Sequence, residues 1–309
     1  MKILVTGGAG FIGSHVVDAL LADGHDVVVV DDLSTGRRQN LNPKARLYQL
    51  DIRSPELASV FERERPEVVD HHAAQMDVRR SVAEPLFDAD VNVRGTLNLL
   101  EAARAYGTRK VIYISTGGAV YGEPQYLPCD EDHPINPICQ YGVSKHVVEH
   151  YLFVYHHLYG LDYTVLRYPN VYGPRQNPRG EAGVVAIFTG RMLTNQPVTI
   201  NGDGQQERDF VYVADCARAN VVALRHGSGG IFNLGSNRGV SVNMLFAELA
   251  QIIGYTPAPT LGPAKPGETS KIYLDGRRAQ AHLSWAPIIG LDQGLQQTVA
   301  YFREHERDL

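Results

Sequence analysis

The stretch KILVTGGAGFIG, residues 2–13, decides the fold of this chain. A short apolar run is followed by three glycines spaced three apart, Gly7, Gly10 and Gly13, and then by helical apolar periodicity up to Leu21. In that order, these features predict a buried strand, a tight turn and a helix. Such a unit is typical of the start of a parallel α/β sheet.

The same pattern repeats along the first half of the chain. Further apolar runs lie at residues 26–32, 45–51, 67–74, 110–116 and 163–168, with helical patterns between them at about 55–65, 81–105 and 141–160. Apolar strands that alternate with helices predict a doubly wound parallel sheet covered on both faces. After residue 170 a Pro-, Gly- and Arg-rich loop leads into helices and short strands, one of them at 231–234. We therefore predict a Rossmann domain over residues 1–170 and a smaller mixed α/β lobe over 171–309, with some segments packing back on the first domain.

The composition narrows the possible partners. The 309 residues are 44% hydrophobic and 20% charged, with a formal net charge of −5. This acidic balance argues against nucleic acid or an anionic membrane as the main partner. Three cysteines without a C-x-x-C pair indicate neither a disulfide framework nor a zinc site. Because the chain also has no apolar run long enough for a membrane span and no signal-peptide pattern, we predict a cytoplasmic protein without a metal site.

The glycine pattern also predicts a ligand. Gly7 permits the tight turn, Gly10 lets a pyrophosphate approach the backbone, and Gly13 allows close helix–strand packing. The N–H groups at the helix N-terminus favour phosphate. Asp31 ends the next strand, where a carboxylate accepts hydrogen bonds from ribose hydroxyls and repels a 2′-phosphate. We therefore predict that the chain binds NAD rather than NADP.

Two further strand ends extend this prediction. Asp51 and Ile52 lie where an adenine ring would sit, and the small residues of HHAAQ, 71–75, suit a close approach to the cofactor. His71 and His72 are adjacent in a strand, so we expect their side chains to point to opposite faces rather than to form a metal or base pair.

The segment YGVSK, residues 141–145, predicts a reaction site. On a helix, Tyr141 and Lys145 share one face. A lysine ammonium beside a phenol favours the phenolate and lowers a pKa that is normally about 10. Tyr141 is therefore a candidate general base, and Lys145 is also placed to hold the nicotinamide ribose.

Together these motifs resemble the extended short-chain dehydrogenase/reductases, and within them the UDP-glucose (UDP-galactose) 4-epimerases. The resemblance covers nearly the whole chain and rests on TGGAGFIG, HHAAQMDVRRSV, NVRGTLNLLEA, STGGAVYGE, YGVSK, LRYPNVYGPRQ, GDGQQERDFVYVAD, FNLGSN and KPGE. It implies that Tyr141 takes the proton of the sugar 4-hydroxyl while hydride passes from C4 to NAD. A 4-keto sugar then turns in the pocket, and hydride returns to its other face. The resemblance also implies a UDP-sugar substrate. The helix at 141–160 is apolar on more than one face, which predicts either burial under the second lobe or a homodimer interface formed with the 92–105 helix.

The resemblance assigns residues to each part of the site. The cofactor contacts that it implies are Gly7, Gly10, Phe11, Ile12, Gly13, Asp31, Asp32, Ser34, Thr35, Gly36, Asp51, Ile52, Ala73, Ala74, Gln75, Asn92, Ser115, Tyr141, Lys145 and Tyr168. The substrate contacts that it implies are Gly117, Gly118, Asn170, Gly183, Val184, Thr199, Asn201, Arg208, Lys265 and Glu268. Lys265 stands where many relatives carry arginine, and a lysine cannot bind a diphosphate bidentately.

One position departs from the family pattern. When the chain is aligned on VYG, residues 120–122, relatives carry the catalytic serine or threonine where this chain has Gly117. The nearest hydroxyls are those of Ser115 and Thr116. Because glycines let the end of the strand bend, we expect Thr116 to supply the catalytic hydroxyl. Ser115, a water molecule or Tyr141 acting alone are the alternatives.

The same loop argues against neighbouring activities. Nucleotide-sugar 4,6-dehydratases resemble this chain but carry an Asp-Glu pair after the catalytic threonine, which acts as acid and base at C5 and C6. Gly118 and Ala119 occupy those positions here. Ala119 also argues against UDP-glucuronate decarboxylases, which usually keep the glutamate.

Other substrates and functions stay open at this stage. A 4-epimerase for UDP-glucuronate or for N-acetylated UDP-hexosamines fits the same motifs. The position that gates N-acetyl sugars falls at Ile272 or, with a shift of one residue, at Tyr273. We expect Arg79 and Arg80, at a helix start, to be solvated rather than to bind a sugar carboxylate. A net oxidoreductase and a non-catalytic NAD-sensing protein are the remaining alternatives, and the intact Tyr-Lys motif argues against the second.

Overall fold

The computed structural model describes residues 1–179, 183–264 and 269–305. Its strands are β1 (Lys2–Thr6), β2 (Asp26–Asp31), β3 (Arg46–Gln49), β4 (Val68–His71), β5 (Lys110–Thr116), β6 (Asp162–Tyr168), β7 (Asn170–Tyr172), β8 (Thr199–Asn201), β9 (Glu207–Arg208), β10 (Phe210–Tyr212), β11 (Gly230–Asn233), β12 (Val240–Ser241), β13 (Thr260–Gly262) and β14 (Lys271–Ile272). Its α-helices are α1 (Phe11–Ala22), α2 (Leu57–Glu64), α3 (Val78–Ala83), α4 (Pro85–Ala89), α5 (Gly95–Tyr106), α6 (Gly117–Val120), α7 (Gln140–Tyr159), α8 (Val184–Leu193), α9 (Val213–Ala223), α10 (Val242–Ile253), α11 (Arg277–Leu283) and α12 (Leu291–Glu304). None of the helices in these ranges is long and apolar enough to cross a bilayer.

Seven strands form one parallel sheet in the order β11-β6-β5-β4-β1-β2-β3. The chain first moves outward from β1 to β3 and then returns to β4 on the other side of β1. This confirms the predicted doubly wound sheet. The order reverses between β1 and β4, and in such sheets the ligand crevice lies at the carboxyl ends of the strands beside that point.

Side chains of the sheet alternate between two hydrophobic cores. Ile112 and Ile114 of β5 belong to the core shared with α1 and α9. Val111 and Tyr113 of the same strand belong to the core shared with α2, α5 and α7. The face that a β5 side chain occupies is therefore set by its position in the alternation, which matters for the hydroxyls at the end of this strand.

Part of the chain after residue 170 forms a second lobe with a core of its own. Small sheets formed by β7 and β10, by β8 and β13, and by β12, β9 and β14 pack with α8, α10 and α12 around Phe188, Leu245 and Leu295. In contrast, β11 pairs with β6 in the main sheet, and α9 packs on α1. The strand predicted at 231–234 thus covers the edge of β6, which would otherwise be left unpaired.

The single helix predicted over 81–105 is wrong. α3 ends at Ala83, and Pro85 opens α4 instead of continuing the first helix. Proline lacks an N–H group and clashes with the preceding turn, so it is tolerated only at a helix start. A π-helical turn, Asp90–Arg94, then joins α4 to α5. Such turns are frequent at functional sites, and this one carries Asn92.

Candidate active site

The glycine turn between β1 and α1 is shaped for a ligand. Gly7 has a φ of +68°, and a Cβ atom there would lie 2.7 Å from the Ala73 backbone nitrogen. At Gly13 a Cβ atom would overlap the Gly7 carbonyl oxygen. No side chain caps the N-terminus of α1 at Gly10. The first N–H groups of this helix therefore lie beside a cradle without side chains, which fits a pyrophosphate.

Asp31 lies directly beside this turn. Its buried carboxylate accepts hydrogen bonds from the Ala9 N–H at 2.9 Å and the Leu33 N–H at 2.8 Å. Burial raises the pKa of Asp31, while the two backbone hydrogen bonds act to lower it. A Cβ atom on Gly36 would lie 2.7 Å from this carboxylate, so the loop closes tightly around it. The geometry fits the predicted ribose site, because an ionised carboxylate keeps acceptor positions beyond two amides.

The loop after β2 is more exposed. Asp32 accepts hydrogen bonds from the backbone and hydroxyl of Ser34, at 2.9 and 2.6 Å, and both residues are exposed, as is Thr35. Asp51 forms an ion pair with Arg53 at 2.5 Å, whereas Ile52 is buried. These residues flank the carboxyl ends of β2 and β3, on the predicted adenosine side.

The two histidines at the end of β4 have different partners, as predicted from the strand alternation. His71 is fully buried between the hydroxyls of Thr6 at 2.6 Å and Thr96 at 2.9 Å. The Nε2 atom of His72 lies 2.9 Å from the buried Asp70 carboxylate. In the described part of the chain no three potential ligands among His, Cys, Asp and Glu come together as a metal site.

Gln75 and Asn92 anchor a buried polar network between the sheet edge and α7. Asn92 accepts from the Gln75 backbone N–H at 2.8 Å and donates to the Gln75 carbonyl at 2.9 Å. Its amide also donates to the carboxylate of Asp88 at 3.1 Å and to the Ser144 hydroxyl at 3.2 Å. Ser144 in turn donates to the Tyr141 carbonyl at 3.1 Å. The π turn is therefore connected to the first turn of α7, which carries the predicted base.

Lys145 and Tyr141 lie on α7 as predicted. The structure does not show the predicted lowering of the Tyr141 pKa by Lys145. Lys145 is 4% exposed, and its ammonium lies 4.3 Å from the centre of the Tyr113 ring. Burial lowers the pKa of Lys145 to about 7, against the raising effects of Glu149 and Asp88. Burial raises the pKa of Tyr141, and a hydrogen bond with Thr116 acts to lower it. Desolvation thus has a larger effect on the Tyr141 pKa than the expected attraction between the Lys145 charge and the phenolate.

The end of β5 separates its two hydroxyls. Ser115 is buried and donates a hydrogen bond of 2.6 Å to Glu149, on the face that α7 covers. The hydroxyl of Ser115 thus donates to a buried carboxylate, and its assignment as a catalytic or cofactor contact stays a prediction. Thr116 leaves the strand on the opposite side, and hydrogen bonding with it acts to lower the pKa of Tyr141. The hydroxyl within reach of the predicted base is therefore that of Thr116.

Gly117 does not leave a gap in the site. A Cβ atom at this position would overlap the side chain of Leu274, which belongs to a small core. The assignment of Gly117 as a substrate contact stays a prediction. Gly118 does face the site, because a Cβ atom there would lie 3.7 Å from the Asn170 side-chain oxygen and 3.8 Å from the Thr116 hydroxyl.

The remaining predicted contact residues differ in how exposed their side chains are. Tyr168 is buried, and its hydroxyl accepts from Asn220. Gly183 precedes α8, and Val184 is the first residue of that helix. Thr199 is exposed and Asn201 half-buried on β8, while an Arg208 Nη1 atom donates to the Glu207 carbonyl at 2.9 Å. Lys265 and Glu268 lie outside the described residues.

Sequence reasoning missed the charged residues behind the site. Glu149 and Arg167 form a buried ion pair at 2.6 Å, and Asp88 is 1% exposed. A signal was present, because an arginine within the apolar strand YTVLRY is almost never buried without a partner. The sequence pattern does not indicate which carboxylate that partner would be.

These elements define an α/β enzyme that holds a dinucleotide at the carboxyl edge of its sheet, with a tyrosine–lysine pair beside it. Residues 3–235 match the model of the NAD dependent epimerase/dehydratase family. The chain belongs to this family, which confirms the predicted resemblance and NAD as the cofactor.

Individual relatives match the chain over nearly its whole length. The putative UDP-glucose 4-epimerase of Methanocaldococcus jannaschii is 49% identical and covers 99% of this chain and 99% of its own. The UDP-glucose 4-epimerase of Thermotoga maritima, solved with UDP-glucose, has a TM-score of 0.98 at 50% identity and covers 99% of this chain and 100% of its own. The Thermus thermophilus UDP-glucose 4-epimerase in complex with NAD has a TM-score of 0.93 at 44% identity and covers 98% of this chain and 99% of its own.

Proposed function

We propose that this protein catalyses the NAD-dependent 4-epimerisation of a UDP-sugar, with UDP-glucose and UDP-galactose as its substrates. The observation that carries the proposal is that Tyr141 and Lys145 lie one turn apart at the start of α7, with the Lys145 ammonium 4.3 Å from the Tyr113 ring of β5, the strand that ends at Thr116. The names of the similar enzymes, and the nucleotide sugar bound to one of them, support the choice of substrate.

In this proposal Tyr141 moves the proton. Its phenolate oxygen takes the proton of the sugar 4-hydroxyl, and the Thr116 hydroxyl orients that sugar oxygen by a hydrogen bond. Because burial raises the pKa of Tyr141, its ionisation depends on nearby positive charge, which Lys145 supplies. The bound NAD supplies the hydride chemistry at C4. Tyr141 then returns the proton to the 4-keto sugar after the sugar has turned, so the two transfers leave no net change.

The small lobe holds the nucleotide end of the substrate. Asn170 lies next to Gly118, and Arg208 lies on β9, where it pairs with Ile272 of β14. A guanidinium fork suits diphosphate oxygens. Firm binding of the nucleotide and loose binding of the sugar allow the 4-keto sugar to turn. Thr199, Asn201, Lys265 and Glu268 are further predicted contacts on this side.

UDP-N-acetylhexosamines are the second candidate substrates. Ile272 is 4% exposed and belongs to the small core with Leu274, while Tyr273 is half-buried beside Gly239. A compact residue at the gating position leaves more room for an N-acetyl group than a tyrosine does. UDP-glucuronate has less support, because Arg80 pairs with Glu84 on the surface.

The experiment is a coupled assay on purified protein without added NAD. UDP-galactose, UDP-N-acetylgalactosamine and UDP-galacturonate are offered in parallel, and the 4-epimer of each is quantified. We expect UDP-galactose to be converted fastest, with NAD carried by the protein as purified. Release of NADH in proportion to product would indicate a net oxidoreductase. No conversion of any of the three, even with NAD supplied, would contradict the proposal.

We further propose a homodimer formed through α5 and α7, in the cytoplasm. The outward side of α7 exposes apolar side chains, with Phe153 57% and Leu158 60% exposed, and Val143 and Val154 lie on the same helix. A row of exposed apolar side chains along one helix is typical of a protein–protein contact.

A further inference from the structure

Glu149 and Arg167 are almost completely buried behind the reaction site. Their side chains are 2% and 3% exposed. Arg167 Nη2 lies 2.6 Å from Glu149 Oε2, and Arg167 Nε lies 3.0 Å from Glu149 Oε1, so the pair is bidentate. Burial acts to raise the pKa of Glu149, but hydrogen bonds from His146, Arg167 and Ser115 outweigh it and lower the pKa to about 2. The carboxylate is therefore charged throughout the working range.

The pair contacts both ends of the turn that carries the catalytic hydroxyl. Before the turn, Ser115 donates to Glu149 Oε1 at 2.6 Å. After it, Arg167 Nη1 donates to the Tyr121 hydroxyl at 2.9 Å, and that hydroxyl donates to Asn233 at 2.7 Å. Since Ser115 is held against α7, its neighbour Thr116 leaves the strand on the other side. Strand alternation sets the opposite sides of the two hydroxyls, and the ion pair fixes Ser115 before the turn and Tyr121 after it.

The same carboxylate lies one helical turn from Lys145. Residues four apart on a helix are neighbours, and Glu149 acts to raise the pKa of Lys145. The titratable groups that face Lys145 are Tyr113 from β5, His71 from β4, Asp88 from α4, and Tyr141 and Glu149 from α7 itself. His71 is neutral, because burial lowers its pKa well below the usual value. The negative charges that keep Lys145 protonated are therefore those of Glu149 and Asp88.

We propose that Glu149 and Arg167 are positioning residues for the reaction: the pair fixes both ends of the turn that carries Thr116, through Ser115 and Tyr121, and Glu149 places a carboxylate one helical turn from Lys145. This inference rests on the proposed roles of Tyr141, Thr116 and Lys145.

The first test is Glu149→Gln, which keeps the shape and removes the charge. We expect kcat to fall roughly 10- to 100-fold while the KM for UDP-galactose stays within about threefold, because the nucleotide end is bound elsewhere. The alkaline limb of the pH–rate profile should move to lower pH, because Lys145 loses its proton more easily. Ser115→Ala should lower kcat without moving that limb.

Two further variants separate positioning from stability. Glu64→Gln removes another buried carboxylate, which pairs with Arg46 and Lys2 at the far end of the same domain. It should lower the melting temperature but leave kcat and the pH profile unchanged. Should Glu149→Gln fail to fold, Glu149→Gln combined with Arg167→Met removes both charges, which folded proteins often tolerate. The double variant should show the same loss of kcat.

A readout that does not depend on turnover completes the test. NMR titration of protein labelled with ¹³C-lysine, with Lys145→Met to assign the signal, measures the Lys145 pKa directly. It should be lower in Glu149→Gln than in the wild type and unchanged in Glu64→Gln. A folded Glu149→Gln protein with wild-type kcat, pH profile and Lys145 pKa would overturn the inference. Wild-type protein inactive on every sugar would instead count against the proposed function, and the titration would still decide whether Glu149 controls the lysine.

Discussion

Leu274 fills the space on the side of Gly117 where any other residue would place its Cβ atom. The glycine therefore serves packing, and the hydroxyl that relatives carry at this position is provided one residue earlier by Thr116 in our proposal. Three predictions belong to this scale.

The first concerns the catalytic hydroxyl. Thr116→Val keeps the shape of the side chain and removes its hydroxyl, so we expect kcat to fall roughly 10- to 1,000-fold, which is the range for losing one oriented hydrogen bond or proton-transfer partner. Steady-state kinetics with UDP-galactose measure this. Thr194→Val, at the end of α8, is the matched control and should be active. An unchanged kcat in Thr116→Val would favour a water molecule or Tyr141 alone.

The second concerns restoring the family residue. Gly117→Ser places a side chain against Leu274, and overpacking of this kind costs about 1–3 kcal/mol. Urea unfolding should show this loss of stability. Adding Leu274→Ala should make the serine less destabilising than it is in the wild-type background, because the space is then free. Equal effects of the serine in both backgrounds would contradict the packing explanation.

The third concerns pH and stability at Asp209, which is 2% exposed. Burial raises its pKa to about 6, although Ser236 and the Leu274 N–H donate hydrogen bonds to it. A carboxyl group whose pKa is higher in the folded state stabilises most below its unfolded pKa, and this stability is lost as pH rises through about 6. Between pH 4 and pH 6.5 the free energy of unfolding of the wild type should therefore fall relative to that of Asp209→Asn, by up to about 3 kcal/mol. A constant difference in urea unfolding would contradict this.

At the scale of elements, the site is formed where α6 and the start of α7 approach each other. A Cβ atom on Gly142 would overlap the Ala119 carbonyl oxygen and lie 2.9 Å from the Pro137 Cβ atom. This close approach brings Tyr141 to the end of β5. The π turn contributes from a third direction, because Asn92 binds Ser144 on the same helix.

Gly142→Ala tests this arrangement. The added methyl group should push the start of α7 away from α6, lowering kcat by roughly tenfold or more, since a displacement of about 1 Å can cost as much as 100-fold. Thermal unfolding and kinetics measure the two effects together. Gly290→Ala is the matched control, because Gly290 opens α12 with nothing near its Cβ position. Wild-type kcat in Gly142→Ala would show that the helix start tolerates displacement.

At the scale of the whole molecule, the chain returns twice to its first domain after building the second lobe. β11 pairs with β6, and Trp285 donates to the Asp215 carbonyl at 2.9 Å behind α9. Residues after position 170 are therefore joined to the first domain by the contact between β11 and β6. Segments after residue 170 thus add to the packed unit that the first 170 residues form.

The proposed dimer is tested at this scale. Phe153→Glu places a charge in the exposed apolar row of α7 and should convert a dimer into a monomer, because burying that charge is costly. Sedimentation equilibrium measures the change in mass. Arg38→Glu, an exposed change on the other side of the sheet, is the control and should remain dimeric. A monomeric wild type would contradict the proposed interface.

The sequence by itself determined the doubly wound parallel sheet, the dinucleotide turn and the tyrosine–lysine helix, because apolar periodicity and glycine spacing act over a few neighbouring residues. It did not predict that Pro85 starts a new helix, that burial outweighs Lys145 in shifting the Tyr141 pKa, or that Glu149 holds Ser115. Those outcomes depend on which distant side chains share a space. Only the tertiary structure decided that Leu274 occupies the side of Gly117 and that the hydroxyl facing Tyr141 belongs to Thr116, because packing and desolvation depend on contacts between residues far apart in the chain.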